Sequence, residues 1–146
     1  MIENVVKEVY TTLVPKTMII ADLGCSAGPN TLLFISTVIS IVEQCKSSGD
    51  DSVELQFFLN DLPGNDFNEL FRSIENFKRP NSTDETAHLP PYYIMGLPKS
   101  YYNRLFPRES VHLFHSSFCL HWRSQVFGSL IKLVIYLSML ITRVLL

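Results

Sequence analysis

The sequence predicts an α/β fold, the first four strands of a doubly wound parallel sheet, on three observations. Short apolar runs alternate with segments whose apolar residues recur at spacings of three and four. A turn containing Gly24 and Gly28 joins the first such run to a helical segment. The 146 residues are 47% hydrophobic and 18% charged, enough to bury one core and too few for two ordinary domains.

Each element has its own signal. Ile2, Val5, Val6, Val9 and Leu13 form the apolar face of a first helix, closed by Pro15. Met18-Ile19-Ile20-Ala21 runs unbroken into Asp22-Leu23-Gly24 and predicts a central strand buried on both faces. Pro29 suits a first helical turn, and Leu32, Leu33, Ile35, Val38, Ile39 and Val42 continue that helix to about Cys45. Residues 47–52 are polar turn chemistry, and Val53 to Leu59 is a β-rich run ending at Asn60-Asp61. Phe67, Leu70, Phe71, Ile74 and Phe77 mark a third helix, with Asn65 or Asp66 as its N-cap. Lys78 to Pro91 is an exposed loop. Tyr92 to Met95 and Ser110 to Phe114 are further short strands, with a short helical piece around Ser100 to Leu105 between them.

Composition excludes several functions. A net charge of −2 and a pI near 6.0 give no electrostatic footprint for nucleic acid. Cys25, Cys45 and Cys119 are odd in number and lack CxxC spacing, which argues against a disulfide framework or a zinc ribbon. The N-terminal stretch carries Glu3 and Glu8 and no long apolar core, so it is not a secretory signal, and a reducing, cytoplasmic location is expected. His112, His115 and His121 do not make a metal cluster, because on an extended segment His112 and His115 point to opposite faces. Cys119 and His121 share a face but lack a third group to orient them as a nucleophilic pair.

In a doubly wound sheet, ligands sit at the carboxyl ends of the strands. Asp22, Asp61 and the residues after Met95 and His115 lie at those ends, so four loops face one crevice. The turn Asp22 to Asn30 is neither GxGxxG nor GxxxxGK[ST], so the usual dinucleotide and P-loop readings fail. Gly24 and Gly28 still allow a ligand close to the backbone, although the same pair also serves an ordinary strand-to-helix turn. Asp61 stands where such folds place the carboxylate that accepts ribose hydroxyls. Together the two loops favour an adenosyl-containing ligand.

The strings IADLGCSAGPNT (residues 20–31), FLNDLPGNDFNELF (58–71) and LPKSYYNRLFPRESVHLFHSSFCLHW (97–122) resemble, in order, those of the plant SABATH family. These are S-adenosylmethionine-dependent carboxyl and N-methyltransferases acting on salicylate, benzoate, jasmonate, farnesoate, auxin and xanthines. The resemblance covers roughly residues 1–125 and implies a Rossmann-like methyltransferase sheet. It places Asp22, Gly24, Cys25 and Asn30 at the methionine end of S-adenosyl-L-methionine, and Asp61 with Leu62 at the ribose. Ser100 and Tyr101 are similar to the family's adenine-contacting element, with Tyr in place of Phe. Ser117, Phe118, His121 and Trp122 resemble the wall of the methyl-acceptor pocket, where the Trp122 indole N–H is able to hold a carboxylate. An ionised carboxylate attacks the methyl directly, so positioning does the work, worth up to about 7–11 kcal/mol. No catalytic residue and no metal ligand is therefore assigned. Some family members are described with magnesium, whose ligands belong to the second half, and family members are often homodimers.

Residues 126–146 depart from the family as an apolar tail. The family's early Tyr- and Gln-bearing segment and its helical cap are not matched, so truncation at both ends is expected. Lys132 and Arg143 leave ten uninterrupted residues between them in the tail, short of a bilayer span, which argues against a membrane anchor. Three readings stay open: an enzyme acting on a small carboxylic acid or xanthine-type nitrogen, a cofactor-binding fragment without methyl transfer, and a non-functional, membrane-attached fragment.

Overall fold

The computed structural model describes residues 2–46, 53–76 and 89–117. Helix α1 (Ile2–Leu13) leads into β1 (Thr17–Leu23), α2 (Pro29–Cys45), β2 (Glu54–Asp61), α3 (Phe67–Asn76), β3 (Tyr92–Pro98) and β4 (Leu113–His115). The four strands are parallel in the order β3-β2-β1-β4. The chain winds outward from β1 through β2 to β3, then returns to the other side of β1. Such a reversal opens a crevice beyond the carboxyl ends of the two strands that flank it, here β1 and β4.

Strand alternation sorts the sheet into two unlike faces. Met18 and Ile20 of β1, Leu55, Phe57 and Leu59 of β2 and Leu113 of β4 are buried in one cluster with Val6, Val9, Phe34, Ile35, Val38, Val42 and Leu70 of the helices. All three helices therefore pack on one face. The opposite face carries Ala21, completely buried, beside Ile19, Gln56 and Phe58, which are half-buried, so β1 is buried on both faces toward its carboxyl end and less so at Ile19. There Phe106 packs edge-on against Phe58 at 5.2 Å and against Phe114 at 5.9 Å between ring centroids.

Helix ends follow from local chemistry. Val14 takes φ 41° directly after α1, and its N–H donates to Tyr10 O at 3.1 Å. Pro15 disfavours a further helical residue, so the chain turns out there. Asp66, not Asn65, caps α3: its Oδ1 accepts the Glu69 N–H at 2.9 Å. Two expected elements differ. Ser100 to Leu105 is a turn rather than a helical piece, because the Ser100 hydroxyl accepts the Tyr102 N–H at 3.3 Å and the Ser100 carbonyl accepts the Asn103 N–H at 3.1 Å. β4 begins only at Leu113, because His112 pairs through its side chain. Phe77, residues 47–52 and most of the loop at 78–91 lie outside the described residues.

The His112 pairing has a pH consequence. Its N–H donates to Ile19 O at 2.9 Å, while Nδ1 accepts the Ile19 N–H at 2.9 Å, standing in for a strand carbonyl. Burial holds the ring below its ordinary value of 6.5. Between the folded and ordinary values the unfolded chain binds a proton that the folded chain does not, so stability is full above about 6.5 and is lost as pH falls below it. Urea unfolding at pH 7.5 and 5.0 will show that loss, and His112→Gln, which keeps an acceptor but does not titrate, will reduce the difference between the two pH values.

Gly96 sets how closely α3 lies on β3. A Cβ there would stand 3.2 Å from both Phe67 Cδ1 and Phe71 Cε2. Gly96→Ala therefore forces the helix outward and is expected to cost about 1–3 kcal/mol in urea unfolding.

Candidate functional site

At the end of β1 the chain turns through Gly24, whose φ of 74° suits glycine. The Gly24 and Cys25 N–H groups both donate to Asn60 O, at 2.8 and 3.0 Å. Ser26 also takes a positive φ, 55°, which aims its N–H at Asp61 Oδ2, 2.7 Å away. The other Asp61 oxygen accepts the Leu62 N–H at 2.7 Å. A carboxylate has about four lone-pair sites, so Asp61, half-buried at the strand end, keeps acceptor capacity for an outside group. Leu62 beside it is 57% exposed, an apolar side chain open to solvent next to an anion.

Asp22 is different, being 3% exposed with both oxygens engaged. Oδ2 accepts from the Thr31 hydroxyl at 2.8 Å, and Oδ1 lies 2.7 Å from His115 Nδ1, which carries the proton in this pairing. The His115 ring stacks on Phe34 with centroids 3.9 Å apart and planes 11° from parallel. Thr31 also lies 2.8 Å from Cys25 O, and the Ser116 hydroxyl donates to Leu23 O at 3.1 Å. This cluster fastens the end of β4 and the first turn of α2 to the β1 loop. Cys25 is buried beside it. Burial first, then the charges of Asp22 and Asp61, push its thiol up to about 12, so it stays protonated at neutral pH and is not a nucleophile.

Helix α2 starts at Gly28 without a side-chain cap, and a Cβ at Gly28 would meet nothing within 4 Å. In its first turn Asn30 is exposed, while Thr31 and Leu32 are buried. On the far side of Asp61, the Lys99 N–H donates to Asp61 O at 2.9 Å, joining the turn that carries Ser100 and Tyr101 to the same strand end. Tyr101 is half-buried, with its ring tilted at 36° against Tyr102.

Asp22 near the end of β1, Asp61 at the end of β2, Asn30 in the first turn of α2, and Gly24, Cys25, Leu62, Ser100 and Tyr101 in the loops thus stand along the carboxyl edge of the sheet, with Ser117 two residues past β4. Phe118, His121 and Trp122 lie outside the described residues. Ser26, Thr31, Asn60 and His115 belong to the same framework and are not singled out by the sequence. A cavity of about 480 Å³ under residues 104–111, lined also by Phe114, shares no residue with this edge. Among the described residues no group of three His, Cys, Asp or Glu side chains gathers as metal ligands, and no helix is long and apolar enough to cross a membrane.

The model of a family described as SAM dependent carboxyl methyltransferase matches residues 1–133. The chain belongs to this family. Among its methyltransferase relatives, a benzoate O-methyltransferase of Zea mays is 65% identical over 137 residues, spanning 86% of this chain and 35% of the relative. Anthranilate O-methyltransferase 2 of Zea mays is 58% identical over 132 residues, spanning 85% and 35%. A solved loganic acid methyltransferase with SAH has a TM-score of 0.59 and 32% identity, covering 86% of this chain and 36% of that one. The chain thus spans about a third of the length of the methyltransferases it matches, and its α/β architecture is that part of their fold.

Proposed function

We propose that this chain forms the S-adenosylmethionine-binding part of a carboxyl methyltransferase acting on a small plant acid of the benzoate, salicylate or jasmonate kind. The observation that carries the reading is the Asp61 carboxylate, fixed at the end of β2 by the Ser26 N–H and still able to accept. Asp61 accepts from the ribose hydroxyls, and Leu62 covers the sugar. Ser100 and Tyr101 lie along the adenine, the tyrosine ring by stacking. Gly24, Cys25 and Asn30, with the buried Asp22 beneath them, receive the methionine end beside the first turn of α2.

Bound S-adenosylmethionine supplies an electrophilic methyl group. The chain's residues hold that group in line with an acceptor carboxylate already ionised at neutral pH, so no side-chain base is needed. Ser117, Phe118, His121 and Trp122 wall the acceptor. Among the described residues no group of three His, Cys, Asp or Glu side chains gathers to hold magnesium. The division into a methyltransferase part, residues 1–125, and a tail, residues 126–146, belongs to this reading, as do a homodimer and a cytoplasmic location.

Calorimetric titration of the 146-residue chain with S-adenosylhomocysteine tests it, after circular dichroism has established folding. Micromolar binding is expected, and no binding by a folded chain would sink the proposal. Transfer of labelled methyl to benzoate, salicylate or anthranilate then separates a transferase from a cofactor-binding fragment.

A further inference from the structure

We infer that Asn60 is a positioning residue that sets the three loops of the cofactor site relative to one another; the inference rests on the function proposed above. Asn60 is completely buried at the next-to-last position of β2. Its main-chain oxygen accepts the Gly24 and Cys25 N–H groups, which fixes the β1 loop. Its Nδ2 donates to Leu97 O at 2.8 Å and to Lys99 O at 2.6 Å, which fixes the turn bearing Ser100 and Tyr101. Asp61, the next residue, is carried on the same backbone.

The amide orientation is set by chemistry, because both partners are carbonyl oxygens and only the NH2 end donates. Oδ1 is then left buried without a partner. An apolar side chain of similar size would fill the space without that orphan, so packing does not account for asparagine here. What the amide alone provides is a bridge from β2 to the β3 loop, while the same residue's carbonyl holds the β1 loop. Moving either loop away from Asp61 requires breaking bonds to this one residue.

The test compares the wild-type chain with Asn60→Ala in three measurements: affinity for S-adenosylhomocysteine, amide exchange, and carbonyl carbon-13 shifts. The expected result is an affinity loss of about tenfold or more. Lys99 amide exchange rises by a similar factor, and the Leu97 and Lys99 carbonyl resonances move. Protection of the Ile20 and Phe57 amides in the central strands stays as in the wild type. Unchanged loop exchange, carbonyl shifts and affinity would overturn the inference, as would a loss of protection spread evenly over the sheet. If the wild type binds no S-adenosylhomocysteine, the proposed function fails, while exchange and carbonyl shifts still decide the role of Asn60. Should Asn60→Ala not fold, the wild type decides alone: the Asn60 side-chain NH2 is expected to exchange far more slowly than that of an exposed asparagine, and exchange at the exposed rate refutes the bridge.

Discussion

Asp61→Ala is expected to weaken S-adenosylhomocysteine binding at least about a hundredfold while leaving the far-ultraviolet circular dichroism unchanged. Two ribose hydroxyls donating to one carboxylate are charge-assisted bonds, worth about 1.5–3 kcal/mol each, and 1.4 kcal/mol is a factor of ten. The fold has little at stake. Asp61 is half-buried, and among the described residues its side chain bonds the Ser26 and Leu62 N–H groups, both in loops. Asp61→Asn keeps one acceptor oxygen of the same shape and should fall between wild type and alanine. Unchanged affinity in the alanine variant would remove Asp61 from the ribose and move recognition to Leu62, Ser100 and Tyr101.

Asp61 is legible in the sequence as the acid at a strand end, where an apolar run meets Asn-Asp before a turn, and the family resemblance is what places it at the ribose. Gly24 was readable for the same reason, its φ of 74° being what a strand-to-helix turn asks of glycine. Helices α2 and α3 carry strong local periodicity and strands β1 and β2 short apolar, β-rich runs, and the structure keeps them. The turn at Ser100 to Leu105 has no sequence signal because no Gly or Pro interrupts it; the Ser100 hydroxyl and carbonyl close it locally, and Asn60 anchors its start through the Leu97 and Lys99 carbonyls. His112 was equally hidden, since a ring nitrogen replacing a strand carbonyl has no signature in sequence.

Distance explains what else was missed. Asp22 reads as an acid at a strand end, yet its partner His115 lies 93 positions away and is brought beside it only because β4 pairs with β1. Thr31 reads as one more residue in a helical turn, and only the fold directs its hydroxyl to Asp22 and Cys25. Local pattern thus reveals which residues stand at the edge of the sheet. Which of them face a ligand and which brace those that do depends on strand order, and strand order is a long-range property.

Asp22→Ala separates these two roles. It removes the acceptor from a hydroxyl and a ring N–H in a site where Asp22 is 3% and Thr31 2% exposed. Thr31 can still turn to Cys25 O, whereas His115 Nδ1 is left against Phe34 without its acceptor. The expected cost, measured by urea unfolding of the free chain, is about 2–4 kcal/mol with little change in slope. Asp22→Asn keeps the shape and one acceptor and should cost less. In a double-mutant cycle with His115→Ala the coupling should reach about 1–3 kcal/mol, since the two groups touch. A free chain that loses less than about 1 kcal/mol, but binds S-adenosylhomocysteine far more weakly, would instead make Asp22 a ligand contact whose bonds to Thr31 and His115 give way when the site fills.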